Sequence, residues 1–335
     1  MKKIVLMLTL LVATVGAEAK YWRIGPSSVA GMDFASINDA MSSANVQKGD
    51  TLYLDQWYNG DEQTVTKQVV IIGTGYATSQ TDEQVVAKVS TLNLKTNKVM
   101  VKSVRLEKVY FYNDDCTIDR CYVATTIQTK STTAGKNNVY SSYITGNLSG
   151  YGSSNYSQFD IQNCVFNYGH YSDLLTYLTN STINNNTLIH KNYNYILESI
   201  DNSVITNNFL LNISHSRYYD YTIKSTGSTN TIEHNILSNT SALSGFPTNK
   251  IGYGDSSSEL FTLVGNFSDY YRLAEKSAAL GYATDGGEVG CHGGMFGCPS
   301  GGRPQYIPYF TKVTVGSRTE DGKLPVKVTI KIQDE

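Results

Sequence analysis

Three clusters combine Tyr with His, Lys or Arg: Tyr168-Gly169-His170-Tyr171, His190-Lys191-Asn192-Tyr193-Asn194-Tyr195, and His215-Ser216-Arg217-Tyr218-Tyr219-Asp220-Tyr221. Aromatic faces can pack against sugar rings. Ammonium and guanidinium groups can hold carboxylate or sulfate oxygens. If the clusters lie side by side, Tyr171, His190, Lys191, Tyr193, Tyr195, His215, Arg217, Tyr218 and Tyr219 form one surface suited to an acidic glycan. A structural reading competes, because a repeating fold aligns any recurrent residue and would stack these tyrosines as scaffold. The composition fits either reading, with 25 Tyr against 10 Phe and 2 Trp.

The clusters follow a repeat that must position them. Six segments read apolar, two polar positions, a small or amide residue, any residue, apolar. They are Ile118 to Val123, Val139 to Ile144, Ile161 to Phe166, Ile183 to Leu188, Ile205 to Leu210 and Ile232 to Leu237. Their starts are 21, 22, 22, 22 and 27 residues apart. A fixed period near 20 means a solenoid whose unit cannot bury its apolar face alone. Leu is too sparse for leucine-rich repeats. The Ile and Val anchors fit pleated positions, and the Thr, Ser, Asn and Gly between them favour strands and bends. The spacing therefore predicts short parallel strands stacked coil on coil. The fourth position runs Cys121, Ser142, Cys164, Asn186, Asn208, Asn235, which predicts an amide ladder inside a sharp bend.

The ends differ from this array. Lys2 and Lys3 precede an apolar run, Ile4 to Val15, and Ala17-Glu18-Ala19 offers a small-x-small cleavage site. That predicts a signal peptide over residues 1–19, and the run is too short for an ordinary transmembrane helix. Asp33 ahead of Phe34, Ile37, Met41 and Ala44 predicts a helix with Asp33 as its N-cap. Thr51-Leu52-Tyr53-Leu54 and Val69-Val70-Ile71-Ile72 read as first strands, and Gly73-Thr74-Gly75 ends a coil and lacks the spacing of a nucleotide loop. Residues 20–304 then form the solenoid with its cap. Residues 305–335 form a hairpin appendage, alternating over Tyr309 to Val315 and Leu324 to Ile332 about a Glu320-Asp321-Gly322-Lys323 turn.

On the repeated anchors and the bend Asn, the chain resembles the right-handed parallel β-helix proteins of the pectate-lyase-like superfamily. The helix followed by "GDTLYL" and "VVIIGTG" resembles the N-terminal end of many exported β-helix proteins, and the glycine-rich run from Ala278 to Gly294 is similar to the closing segment of uncharacterised secreted Bacteroidetes members. The resemblance implies an all-β solenoid, and it leaves activity open because the superfamily holds lyases, hydrolases and adhesins. In its enzymes substrate lies along the stacked strands beside loops leaving one face. A lyase would need a base and a neutraliser for a uronate carboxylate, roles open to His190, Lys191, His215 and Arg217. No clustered Asp set for Ca²⁺ stands beside them. The polygalacturonase-like pattern is matched only in part: Asn113-Asp114-Asp115 supplies paired acids and Gly169-His170 half of a Gly-His-Gly, but Tyr171 replaces the second Gly. Asp114 and Asp115 read better as caps of a bend before Cys116.

Charge and cysteine content narrow the classes further. Removing Lys2, Lys3 and Glu18 with the leader takes the formal charge from −2 to −3, and 17% of residues are charged. With no basic run, nucleic acid is not an expected partner, and no later stretch could span a membrane. Of five cysteines, Cys121 and Cys164 fall two coils apart, about 9.6 Å at ~4.8 Å per coil, beyond disulfide reach. Cys291 and Cys298 flank a Gly-rich loop that could close a bond or leave both thiols free. Only His292 accompanies them, too few ligands for a metal site. No catalytic residue, metal or cofactor is assigned. The expectation is an exported glycan-binding or structural protein at the cell surface, in the periplasm or outside the cell; the alternative is a polysaccharide lyase or related enzyme.

Overall fold

The structure, a computed structural model, describes residues 19–76, 86–131, 135–152, 156–212, 222–224, 229–237, 248–251, 261–262, 272–275, 277, 280–298, 309–315 and 326–331. It is a right-handed parallel β-helix with a ten-stranded sheet and a fourteen-stranded sheet, each made of strands from successive coils.

The apolar anchors create the core by stacking. In the ten-stranded sheet Ile118, Val139, Ile161, Ile183, Ile205 and Ile232 pair coil to coil in one row. That row continues upstream through Val101, Ile71, Leu52 and Trp22. A second row runs Val123, Ile144, Phe166, Leu188, Leu210, Leu237. All of these except Trp22 are buried, and strands of the ten-stranded sheet such as Lys136–Tyr140, Gln158–Gln162 and Thr182–Asn184 bury alternate residues as a pleat requires. The less regular stretch before the array belongs to the same solenoid, as strands Lys88–Leu94, Met100–Lys102 and Arg105–Phe111.

The bend between the two rows is the predicted ladder. Asn186 Nδ2 donates to Asn208 Oδ1 at 3.0 Å, Asn208 to Asn235 at 3.0 Å, and Asn235 to Asn249 at 2.9 Å. Each Asn also donates to an anchor carbonyl of the preceding coil, for example Asn186 to Ile161 O at 2.8 Å and Asn208 to Ile183 O at 2.7 Å. Cys164 keeps that second role: its Sγ donates to Val139 O at 3.3 Å. The column requires a small donor aimed at one carbonyl, so Cys and Asn interchange there. Burial pushes the Cys121 thiol up to about 12 and Cys116 to about 11, leaving both protonated and inert. The residue before each ladder position (Arg120, Ser141, Asn163, Asn185, Asn207, His234) has a positive φ of 45–60°, which turns the chain between strands.

A second sharp corner appears part-way along. The eight-residue strand Tyr122–Thr129 pairs with both Tyr143–Ile144 and Asn147–Ser149, so the fourteen-stranded sheet forks at Thr145-Gly146. A Cβ on Gly146 would lie 2.2 Å from the Thr125 carbonyl, so the fork closes only on glycine. Later coils place longer loops there.

The N-terminal end is sealed as expected, with one correction. The helix spans Ile37–Ser42 and buries Ile37, Ala40 and Met41, but its N-cap is Ser36, whose hydroxyl accepts from Asp39 N at 3.0 Å. Asp33 accepts from Arg23 N at 2.8 Å instead, because Phe34 is still extended and bridges Ile24. Asp114 does hold a bend, accepting from Gly135 N at 3.0 Å, and Asp115 turns with φ +58°. Tyr309–Val315 and Val326–Lys331 pair antiparallel, as expected of the appendage strands, while the expected turn at residues 320–323 lies outside the described residues. Residues 1–18, nearly all of the segment expected to be a leader, lie outside the described residues.

Residues 282–297 run back across the solenoid as a strap, from late coils to early ones. The turn residues of the bend hold it: Asn207 Nδ2 donates to Thr284 Oγ1 at 2.9 Å, Asn185 Nδ2 to Glu288 O at 3.1 Å, and Asn163 Nδ2 to Cys291 O at 2.9 Å. Ser141 Oγ lies 2.9 Å from the carbonyls of Phe296 and Gly297, and the Phe296 ring stacks on Tyr140 at 4.2 Å. Beneath the strap, Val165, Ile189, Phe209, Leu211 and Ile236 form a second apolar cluster outside the solenoid.

Candidate functional site

The loops at the fork carry the residues singled out by chemistry. Strand Val165–Tyr168 leads into loop 169–174, and strand Thr187–His190 into loop 191–196. Backbone bonds stack the two loops: Lys191 N donates to Tyr168 O at 2.9 Å, and Leu174 N to Tyr195 O at 2.9 Å. Asn212 of the next coil supports loop 191–196, donating to Asn192 O at 3.2 Å and Asn194 O at 2.9 Å. The result is a ledge. Tyr171 projects from it 81% exposed and Tyr193 53% exposed, with Lys191 exposed between them in sequence. His215, Arg217, Tyr218 and Tyr219 lie outside the described residues.

His190 does not belong to that surface. It is fully buried, its Nδ1 accepts from Asn192 N at 3.0 Å, and its Nε2 lies 2.8 Å from Ser172 O. The amide at Nδ1 forces the proton onto Nε2, which donates to Ser172, so both nitrogens are engaged. Burial holds its pKa below the ordinary histidine value and keeps it neutral. His190 is a brace between the two loops. The sequence held the signal for this: it follows inward-facing Leu188 by two residues, the period that returns a strand side chain to the same face. His170, by contrast, is exposed.

At the foot of the ledge the structure assembles a group that sequence reasoning passed over. The third face of the solenoid has the outward row Ser149, Thr176, Glu198, Lys224 in coil-to-coil register. Lys224 Nζ lies 2.9 Å from Glu198 Oε1 and 5.0 Å from the Tyr195 ring centroid. Asp173, from the first loop, accepts from Tyr195 N at 2.7 Å and shares a hydrogen bond with Glu198. Two carboxyl groups this close repel as ions, which favours holding one proton between them in acid. Burial, then the Glu198 contact, raises the Asp173 carboxyl to about 6, whereas the bond from Asp173 and then Lys224 hold Glu198 below its usual range. The repeated apolar-polar pairs Leu175-Thr176, Leu197-Glu198 and Ile223-Lys224 were the available signal.

A pH dependence follows. The folded protein takes up the Asp173 proton near pH 6, and the unfolded chain only near the ordinary aspartate value of 3.8. Between those values the folded state binds more protons, so this group's contribution to stability is greatest in acid and is lost as pH rises through 6. Asp173→Asn should flatten the stability–pH curve between about pH 4 and 6; an unchanged slope in urea titrations would refute the shared proton.

Among the described residues, the only group of three metal-ligating side chains close together is Cys291, His292 and Cys298, on the strap. No described helix is long and apolar enough to cross a membrane. No protein-family model matches the chain, and no curated protein matches it.

Proposed function

We propose that this protein is an exported β-helix that binds an acidic glycan along the ledge, with Tyr171 and Tyr193 as stacking platforms and Lys191 and Lys224 as cationic contacts. The observation that carries this reading is the pairing of two loops, fixed by backbone hydrogen bonds, that hold two tyrosine rings out in water one coil apart. A ring used only to fill the scaffold would be packed, as Tyr168 is at 5% exposed. Preformed aromatic platforms spare a ligand the cost of ordering them. Export is supported by the leader-like run from Lys2 to Ala19. A purely structural role at the cell surface is the reading to beat.

The binding experiment is a titration of purified protein with acidic and neutral polysaccharides. Tyr171→Ala with Tyr193→Ala should weaken acidic-glycan binding by about 1 kcal/mol per ring, roughly fivefold each, with no change in melting temperature. Lys191→Ala should weaken it further at low salt, an effect that fades as salt screens the contact. If the triple variant binds every glycan as the parent does, the ledge is scaffold.

A second reading, a polysaccharide lyase, is favoured by the convergence of Lys224, Tyr195 and the Asp173–Glu198 pair. Lys224 would neutralise a uronate carboxylate and Tyr195 would move the proton. A two-carboxylate hydrolase fits less well, since such carboxyls stand ~5 Å or more apart and these two are in contact. Lyase cleavage would appear as near-ultraviolet absorbance from an unsaturated sugar, abolished by Tyr195→Phe; binding without that absorbance would leave the binder.

A further inference from the structure

We propose that Cys291 and Cys298 are joined by a disulfide that clasps the strap over the outer apolar cluster. The inference rests on the export reading for its oxidising compartment, and on geometry for everything else. The two sulfurs lie 3.0 Å apart, so a movement of about 1 Å brings them to bonding distance. Both ends of the intervening loop are already fixed. Cys291 N donates to Thr187 Oγ1 at 3.2 Å, and its carbonyl accepts from Asn163. At the other end Phe296 lies stacked on Tyr140, and the Phe296 and Gly297 carbonyls face Ser141 Oγ. Gly294 and Gly297, at φ +70° and +74°, turn the chain so that residue 298 returns to residue 291. The folded strap therefore holds the two sulfurs in place without needing the bond to order it.

The surroundings favour a bond over two thiols. Cys291 is fully buried beside Val165, Ile189 and Phe209, and Cys298 packs against the same cluster. A disulfide is neutral and removes two S–H groups from an apolar site. Burial, and then the neighbouring Cys291, push the Cys298 thiol well above its ordinary value, so the reaction is fastest while the strap is still loose. The step needs an oxidant, which is a disulfide such as glutathione disulfide. The more exposed Cys298, as thiolate, attacks one oxidant sulfur and displaces a thiolate. Cys291, deprotonated, then attacks the Cys298 sulfur of the mixed disulfide and expels the second thiol. Two protons and two electrons leave the protein and the oxidant becomes two thiols. A metal is the competing use of these atoms, because His292 brings a third ligand atom within 4.8 Å of both sulfurs.

The test is a count of alkylated thiols by intact mass on the full chain, unfolded with and without reductant after exposure to glutathione disulfide. With Cys116, Cys121 and Cys164 sealed in the core, the proposal expects three adducts without reductant and five with it, since two of the five cysteines are bonded. Cyanogen bromide cleaves after Met295, inside the loop, so the peptides holding Cys291 and Cys298 should stay joined until reduced. Five adducts without reductant overturns the proposal, and five with one equivalent of zinc retained in the native mass assigns the atoms to metal instead. Chymotryptic cleavage at Phe296 should accelerate severalfold in reduced protein and in Cys298→Ser. Equal rates with and without reductant overturn the clasp even if the variant fails to fold. The same mass spectrum of exported protein reads whether residues 1–19 are removed, so failure of the export reading is seen separately.

Discussion

Ile183→Asp is expected to abolish cooperative unfolding. Ile183 is fully buried at the middle of the anchor row, paired with Ile161 on one side and Ile205 on the other. No described cation faces that position, so the carboxylate would stand unpaired or be forced to take up a proton. The cost is several kcal/mol or more, comparable with the ~5–15 kcal/mol that holds a typical domain together. In a solenoid the damage spreads, because each coil is stable only through its neighbours. Ile183→Val, losing one methylene, should cost only about 0.5–1.5 kcal/mol and keep one sharp transition. Circular dichroism melts of the three proteins decide it. A single transition for the Asp variant within a few degrees of the parent would mean the row is not the core.

Asn208→Ala should be the next most damaging change. Asn208 Oδ1 accepts from Asn186 N at 2.8 Å and from Asn186 Nδ2 at 3.0 Å, while its own Nδ2 donates to the Ile183 carbonyl and to Asn235. Alanine strands several of these groups in a bend without access to water. At about 1–3 kcal/mol for each unsatisfied group, a total of roughly 3 kcal/mol or more is expected. Asn208→Cys should cost less, because Cys164 already serves in this column by donating its thiol to the preceding anchor carbonyl. Urea midpoints should rank parent, Cys, then Ala. Equal midpoints for Ala and parent would remove the ladder from the account of stability.

These two expectations come from the part of the protein that was legible residue by residue. A coil repeats the same local conformation every turn, so Ile161, Ile183 and Ile205, and Asn186, Asn208 and Asn235, announced their columns by spacing. The helix was legible too, yet its first turn was not: Asp33 and Ser36 are both good caps, and the choice between them depended on Phe34 joining a strand.

The candidate site was legible only at its rim. Tyr171, Lys191 and Tyr193 sit in turns between strands, where exposure follows from the repeat itself. His190 was misassigned because its place at the end of a strand turns it inward, under the loop it supports. Asp173 and Glu198 come from different coils, and their contact depends on how loop 169–174 folds back over the third face, for which no period exists. The strap is further still from local pattern, with partners up to 156 residues apart, as between Ser141 and Gly297. The sequence by itself determined the solenoid, its anchor rows and its bend ladder, because period and burial are local and repeated. Only the tertiary structure decided which carboxyl groups meet, which histidine is sealed in, and that the strap brings Cys291 against Cys298, because those contacts follow from loop lengths and coil stacking.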